Sequence, residues 1–127
     1  AKGILIEGRT TLNMGRRQIL PASNEYAGRL AASATSVKNA GGRADSQLAL
    51  LKRLCELLDQ LYAGLEDLEY AVNDAAGLDD ATGQARACHD RIVPAMAKVR
   101  LAADGLEMIV DADLWPLPSY PDMLFTK

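Results

Sequence analysis

A chain of 127 residues, 49% hydrophobic and 24% charged, has one domain's length and the composition of a soluble globular protein. No uncharged run exceeds eight residues, which excludes a membrane-spanning helix and a signal-peptide core. The net charge of −3 is uneven: residues 1–43 carry seven Lys/Arg against Glu7 and Glu25, whereas residues 44–127 carry seven against fifteen acids.

The chain opens AKGILIEGRTTLNMG, with neither an initiator methionine nor a polar leader. That is the expectation for a piece of a longer polypeptide, although methionine removal before a small residue leaves the same start. Apolar periodicity begins at Ile4 and runs through Leu12, Gly15, Ile19, Ala22, Tyr26 and Leu30, predicting a helix over about 4–37. The glycines of NAGGR, residues 39–43, stop it. Spaced arginines without interleaved aromatics (Arg9, Arg16, Arg17, Arg29) are expected to face the acidic flank of the next element, so no nucleic-acid partner is expected.

The second segment is the most regular. Leu51, Leu54, Leu58, Leu61, Leu65, Leu68 and Val72 step alternately by three and four, the seam of a helix packed lengthwise on others. Leu50, Cys55, Leu57 and Tyr62 widen that seam. Asp45 or Ser46 is expected to cap its start and Gly77 to close its end, giving a helix over about 46–75. A third helix, about 80–110 and capped by Asp79 or Asp80, steps through Cys88, Ile92, Ala95, Val99, Ala102, Leu106 and Ile109.

Short loops make sequential helices antiparallel neighbours. The expected architecture is therefore all-α, an up-down-up antiparallel bundle of three long helices in a single domain, residues 1–127. Folding back near residues 40–41 and 78 would set Pro21 opposite residue 60 and Pro94 opposite residue 62. Two proline kinks, in helices 1 and 3, would then share one level near Leu61. The same register keeps Cys55 and Cys88 too far apart for a disulfide and places both at seam positions as small core hydrophobes. Two cysteines and no secretory signal favour a reducing, cytoplasmic setting.

Residues 111–127 break the helical rhythm. Pro116, Pro118 and Pro121 and three of the six aromatics fall in DLWPLPSYPDMLFTK. Prolines prevent this tail from extending the third helix and stiffen it toward an extended shape. Its apolar side chains (Trp115, Leu117, Tyr120, Met123, Leu124 and Phe125) are the candidate interaction residues. The expectation is a split: Trp115 buried in the bundle, with Met123, Leu124 and Phe125 exposed or docked on another chain.

Chemistry is sparse. The lone histidine, His89, has Cys88 and Asp90 beside it, but neighbours on a helix diverge by about 100° and do not chelate one ion together. No Glu-x-x-His pair and no phosphate-cradling loop occurs; Gly41-Gly42 lacks the lysine and the flanking strand. Glu56, Asp59, Glu66, Asp67 and Glu69 read as a solvated or salt-bridged face. No catalytic, cofactor-binding or metal-ligating residue is expected in this chain.

Three stretches carry a family resemblance: Ile4, Ile6, Glu7, Thr10, Met14 and Ile19-Leu20-Pro21-Ala22 in the first helix; Cys88 to Met96 (C-x-D-x-I-V-P-A-M) in the third; and the aromatic-proline tail. Together they resemble the C-terminal segment of type III glutamine synthetases, the long-subunit bacterial form. Gly8 and Gly15 depart from what a helix interior favours. The resemblance implies a parent that ligates ammonia to glutamate with ATP and Mg or Mn, and that assembles as stacked hexameric rings. It also implies that the ligands for those substrates lie upstream of this segment. The chain is then a non-catalytic helical domain whose partners are the catalytic domain or neighbouring subunits, in a homo-oligomer. The alternative expectation is a free-standing helical adaptor or homo-oligomerisation module that binds a protein partner.

Overall fold

The computed structural model describes residues 2–118. It is all-α, three helices packed together, with no strand among the described residues. The first helix, α1, is built from Lys2–Met14, a π-helical turn at Gly15–Ile19, and Leu20–Asn39. The second, α2, is unbroken from Asp45–Ala76. The third, α3, comprises Ala81–Ala87, a second π-turn at Cys88–Ile92, and Val93–Glu107. No described helix is long and apolar enough to cross a membrane.

The alternating leucine steps of α2 produce the core. Leu54, Leu61, Leu65 and Leu68 are essentially inaccessible, between Ile19 and Leu30 of α1 and Ile92, Val99 and Leu106 of α3. Of the residues expected to widen the seam, Leu57 is buried but Leu50, Cys55 and Tyr62 are exposed. Cys55 therefore departs from the core role assigned to it, whereas Cys88 is buried.

Helix ends follow local chemistry. At the end of α1, Gly41 takes φ +98, and the N–H groups of Gly41 and Gly42 donate to the carbonyls of Lys38 and Val37 at 3.0 and 2.9 Å. This is the left-handed reversal that satisfies terminal carbonyls. The start of α2 differs from expectation: neither Asp45 nor Ser46 caps it, and the N-cap is Ala44, buried and in the left-handed region at φ 58. Asp80 caps α3, its Oδ2 accepting from the Gly83 N–H at 2.7 Å.

Both π-turns end just before a proline. The Leu20 N–H donates to the Gly15 carbonyl and the Val93 N–H to the Cys88 carbonyl, each one residue farther back than in an α-helix. Proline in a helix lacks its N–H and presses on the carbonyl four residues earlier; a widened turn accommodates both defects. The prolines, however, do not share a level. Gly15 packs on Leu65, as the expected α1–α2 register requires, but Gly64 meets Val99 and Gly105 meets Leu57, which shifts α3 by roughly six residues from its expected register. Pro94 consequently lies beside Asp67, Tyr70 and Ala71, well away from Leu61.

Candidate interaction site

The start of the tail is organised by Asp111. Its carbonyl accepts from the N–H groups of Leu114 and Trp115 at 2.9 and 3.0 Å, and its Oδ1 accepts from the Asp113 N–H at 2.8 Å. Arg29 of α1 stands 3.8 Å from the same carboxylate. This turn reverses the chain at the end of α3, and Leu114, Trp115 and Leu117 are partly buried against the core cluster. The Trp115 Nε1 is buried with no hydrogen-bond partner among the described residues. Tyr120, Met123, Leu124 and Phe125 lie outside the described residues, so the expected split of the tail is described only on its Trp115 side.

The charge asymmetry resolves unevenly. Arg16 donates through Nη2 to Glu66 at 2.8 Å and to Glu69 at 2.9 Å, bridging α1 to the acidic flank of α2 as expected. The Arg16 hydrogen bond holds the Glu69 carboxyl below its ordinary pKa, with the guanidinium charge acting in the same direction. Arg29 instead pairs with Glu25 of its own helix and with Asp111, while Arg9 and Arg17 form no ion pair among the described residues.

A shallow groove runs between α2 and α3 on the side away from α1, lined by Asp67, Tyr70, Arg91, Pro94 and Lys98. The guanidinium of Arg91 lies 6.0 Å from the Tyr70 ring centre and pairs with Asp74, so the groove is laced by opposite charges. His89 is exposed, its Nδ1 3.4 Å from Asp90 of the same turn. Among the described residues no group of three His, Cys, Asp or Glu side chains is placed to hold a metal ion.

Sequence reasoning missed three features. Asp111 carried a signal, since an Asp two residues before another polar residue commonly forms a side-chain turn. Ser23, fully buried with its Oγ unpartnered, carried none, because serine reads as a surface residue. Leu101 and Met108, 74% and 85% exposed, were hidden by the stronger buried seam of the same helix.

No family model matches the chain, and no solved structure matches it. Two curated proteins do. A glutamine synthetase from Bacteroides fragilis (strain YCH46) is 25% identical over 130 aligned residues, covering 98% of this chain. A type-3 glutamine synthetase from Dictyostelium discoideum is 24% identical over 132, covering 99%. Each alignment takes in 18% of the relative's own length. The chain is thus distantly similar, along nearly its whole length, to a short segment of glutamine synthetases.

Proposed function

We propose that the chain is the C-terminal helical segment of a type III glutamine synthetase and that it serves subunit packing or ring assembly without contributing catalytic groups. The observation that carries this reading is the similarity to glutamine synthetases over 98% of the chain. A leucine-seamed bundle joined by tight turns is a rigid spacer, and rigid elements hold interfaces in register with little ordering cost. On this reading the ATP, metal and glutamate sites belong to the rest of the parent, and the cellular setting is the cytoplasm. Residues 119–127, with Met123, Leu124 and Phe125, dock on the catalytic domain or a neighbouring subunit.

The test uses the full-length enzyme. Deleting the segment that corresponds to residues 2–118 should lower the number of subunits per particle, measured by light scattering, while leaving ATP and glutamate binding measurable. A deletion that keeps the full assembly, or that abolishes substrate binding in correctly assembled particles, overturns the packing role. Should the encoding frame hold no glutamine synthetase upstream, the chain is instead a free-standing helical module.

A further inference from the structure

Two arginines on the first half of α1 have no countercharge. Arg16 takes both Glu66 and Glu69 of α2, which leaves neither carboxylate to its neighbours. Arg9 and Arg17 are exposed and form no ion pair among the described residues. Like charges gathered on one helix face repel, and an anion seated among them relieves that repulsion.

The gathering is spatial. Arg9, Leu12, Asn13, Arg16 and Arg17 line one open cavity of about 330 Å³, a volume at the lower end of ligand pockets. Gly8 and Gly15 pack on α2 and α3, so Arg9 and Asn13, exposed beside them in sequence, belong to the outer side of α1. Asn13 lies four residues from Arg9 and four from Arg17. Eight residues of helix rise about 12 Å, so each arginine has about 6 Å to cover, the reach of an extended side chain. Helical side chains lean toward the N-terminus, which carries Arg16 and Arg17 over Asn13. The π-turn at Gly15–Ile19 rotates less per residue than an α-helix, and this keeps Arg16 and Arg17 on the same side.

This donor set selects among anions. A carboxylate presents two oxygens in one plane, and a single guanidinium fork fills both. A phosphate monoester has three terminal oxygens and accepts from forks on two sides and from an amide between them. We infer that Arg9, Asn13 and Arg17 form a binding site for a small phosphate-bearing molecule, with Arg16 held at its edge by Glu66 and Glu69. Leu12, half-buried in the cavity wall, gives the apolar part of such a molecule a surface to rest on.

Titration of the 127-residue chain with inorganic phosphate, at constant ionic strength and followed by nuclear magnetic resonance, tests the site. Saturable shifts are expected at the Arg9 and Arg17 side-chain N–H groups and at the Asn13 carboxamide. Arg9→Gln and Arg17→Gln should each weaken binding about tenfold, through the loss of one charge-assisted pair. Arg17→Lys should weaken it as well, because an ammonium keeps the charge and loses the fork. Arg100→Gln, at an exposed position of α3, should leave binding unchanged. Far-ultraviolet dichroism of each variant separates lost binding from lost folding. Shifts that fail to saturate by about 50 mM phosphate overturn the inference, and so does an Arg17→Lys chain that binds as tightly as the parent. Displacement of phosphate by an equal concentration of a glutamate-rich peptide overturns it too and assigns the patch to an acidic protein segment. Glycerol 3-phosphate and a phosphoserine peptide distinguish the source of the phosphate. A peptide that binds about tenfold tighter than glycerol 3-phosphate overturns the assignment to a small molecule. None of these results touches the packing role, which the deletion in the full-length enzyme tests separately.

Discussion

A methyl group on Gly8 would stand 2.9 Å from Cγ2 of Ile92 and 3.0 Å from Cγ2 of Val72. The missing side chain thus lets α1 lie against α2 and α3 at once. Both neighbouring atoms belong to β-branched side chains, whose single favoured rotamer gives them no easy retreat.

Gly8→Ala should therefore destabilise the bundle, by about 1–3 kcal/mol for overpacking, although alanine is the better helix former by about 1 kcal/mol. Gly28 supplies the control. It lies in the same helix with nothing near its would-be Cβ, and Gly28→Ala should stabilise by about 0.5–1 kcal/mol. Urea unfolding midpoints that move together for the two variants would refute the close-packing account of Gly8.

Leu61 is fully buried at the centre of the α2 seam, so Leu61→Ala should cost about 2–5 kcal/mol. The exposed Glu56→Ala should change stability by no more than about 0.5 kcal/mol. The cost follows from burial alone, since the prolines are staggered along the bundle. Equal midpoints for the two variants would show that the centre of the core can collapse around the lost volume.

What the sequence made legible and what it hid divide along physical lines. The seam residues Leu54 to Val72 repeat at helical spacing, and such a pattern has one solution, so element type and core face could be read directly. The register of α3 on α2 depends on how four residues, Gly77 to Asp80, cross from one helix to the other, and side-chain spacing does not encode that path. The π-turn at Cys88–Ile92 adds to the shift, because it holds an extra residue in the helix without a matching advance. Ala44 shows the same limit: a buried alanine in the left-handed region is chosen by the packing of the turn, against its own preference. At the tail, the prolines barred α3 from running on through residue 116, but the helix already ends at Glu107, and the turn that follows is organised by Asp111, whose partners lie both in the turn and across the bundle on α1.

The Arg16 bridge predicts how stability responds to acid. Hydrogen bonding to Arg16 lowers the Glu69 pKa in the folded chain, so the bridge contributes stability above the ordinary carboxylate range and loses it as pH falls through the lowered value. Arg16→Met should be less stable than the parent at neutral pH, and the gap should close in acid. Both side chains stay partly exposed, so added salt should also narrow the gap. A gap independent of pH and salt would mean that Arg16 acts through packing of its stem.

Trp115 offers the sharpest test of how the tail start is held. Its ring is partly buried on the core, yet its Nε1–H is sealed from solvent without an acceptor among the described residues. A buried donor left unmade costs about 1–3 kcal/mol, which offsets much of what the ring contributes by leaving water. Trp115→Phe keeps an aromatic ring on the core and removes the unmet donor, so it should be close to neutral. Trp115→Ala removes the ring as well and should cost clearly more, up to about 3 kcal/mol given the partial burial. Unfolding of both variants, followed by far-ultraviolet dichroism because the tryptophan signal is lost, measures the difference. If Trp115→Phe costs as much as Trp115→Ala, the indole N–H has an acceptor in solution, and the reversal at Asp111 is held by a polar contact as well as by apolar packing.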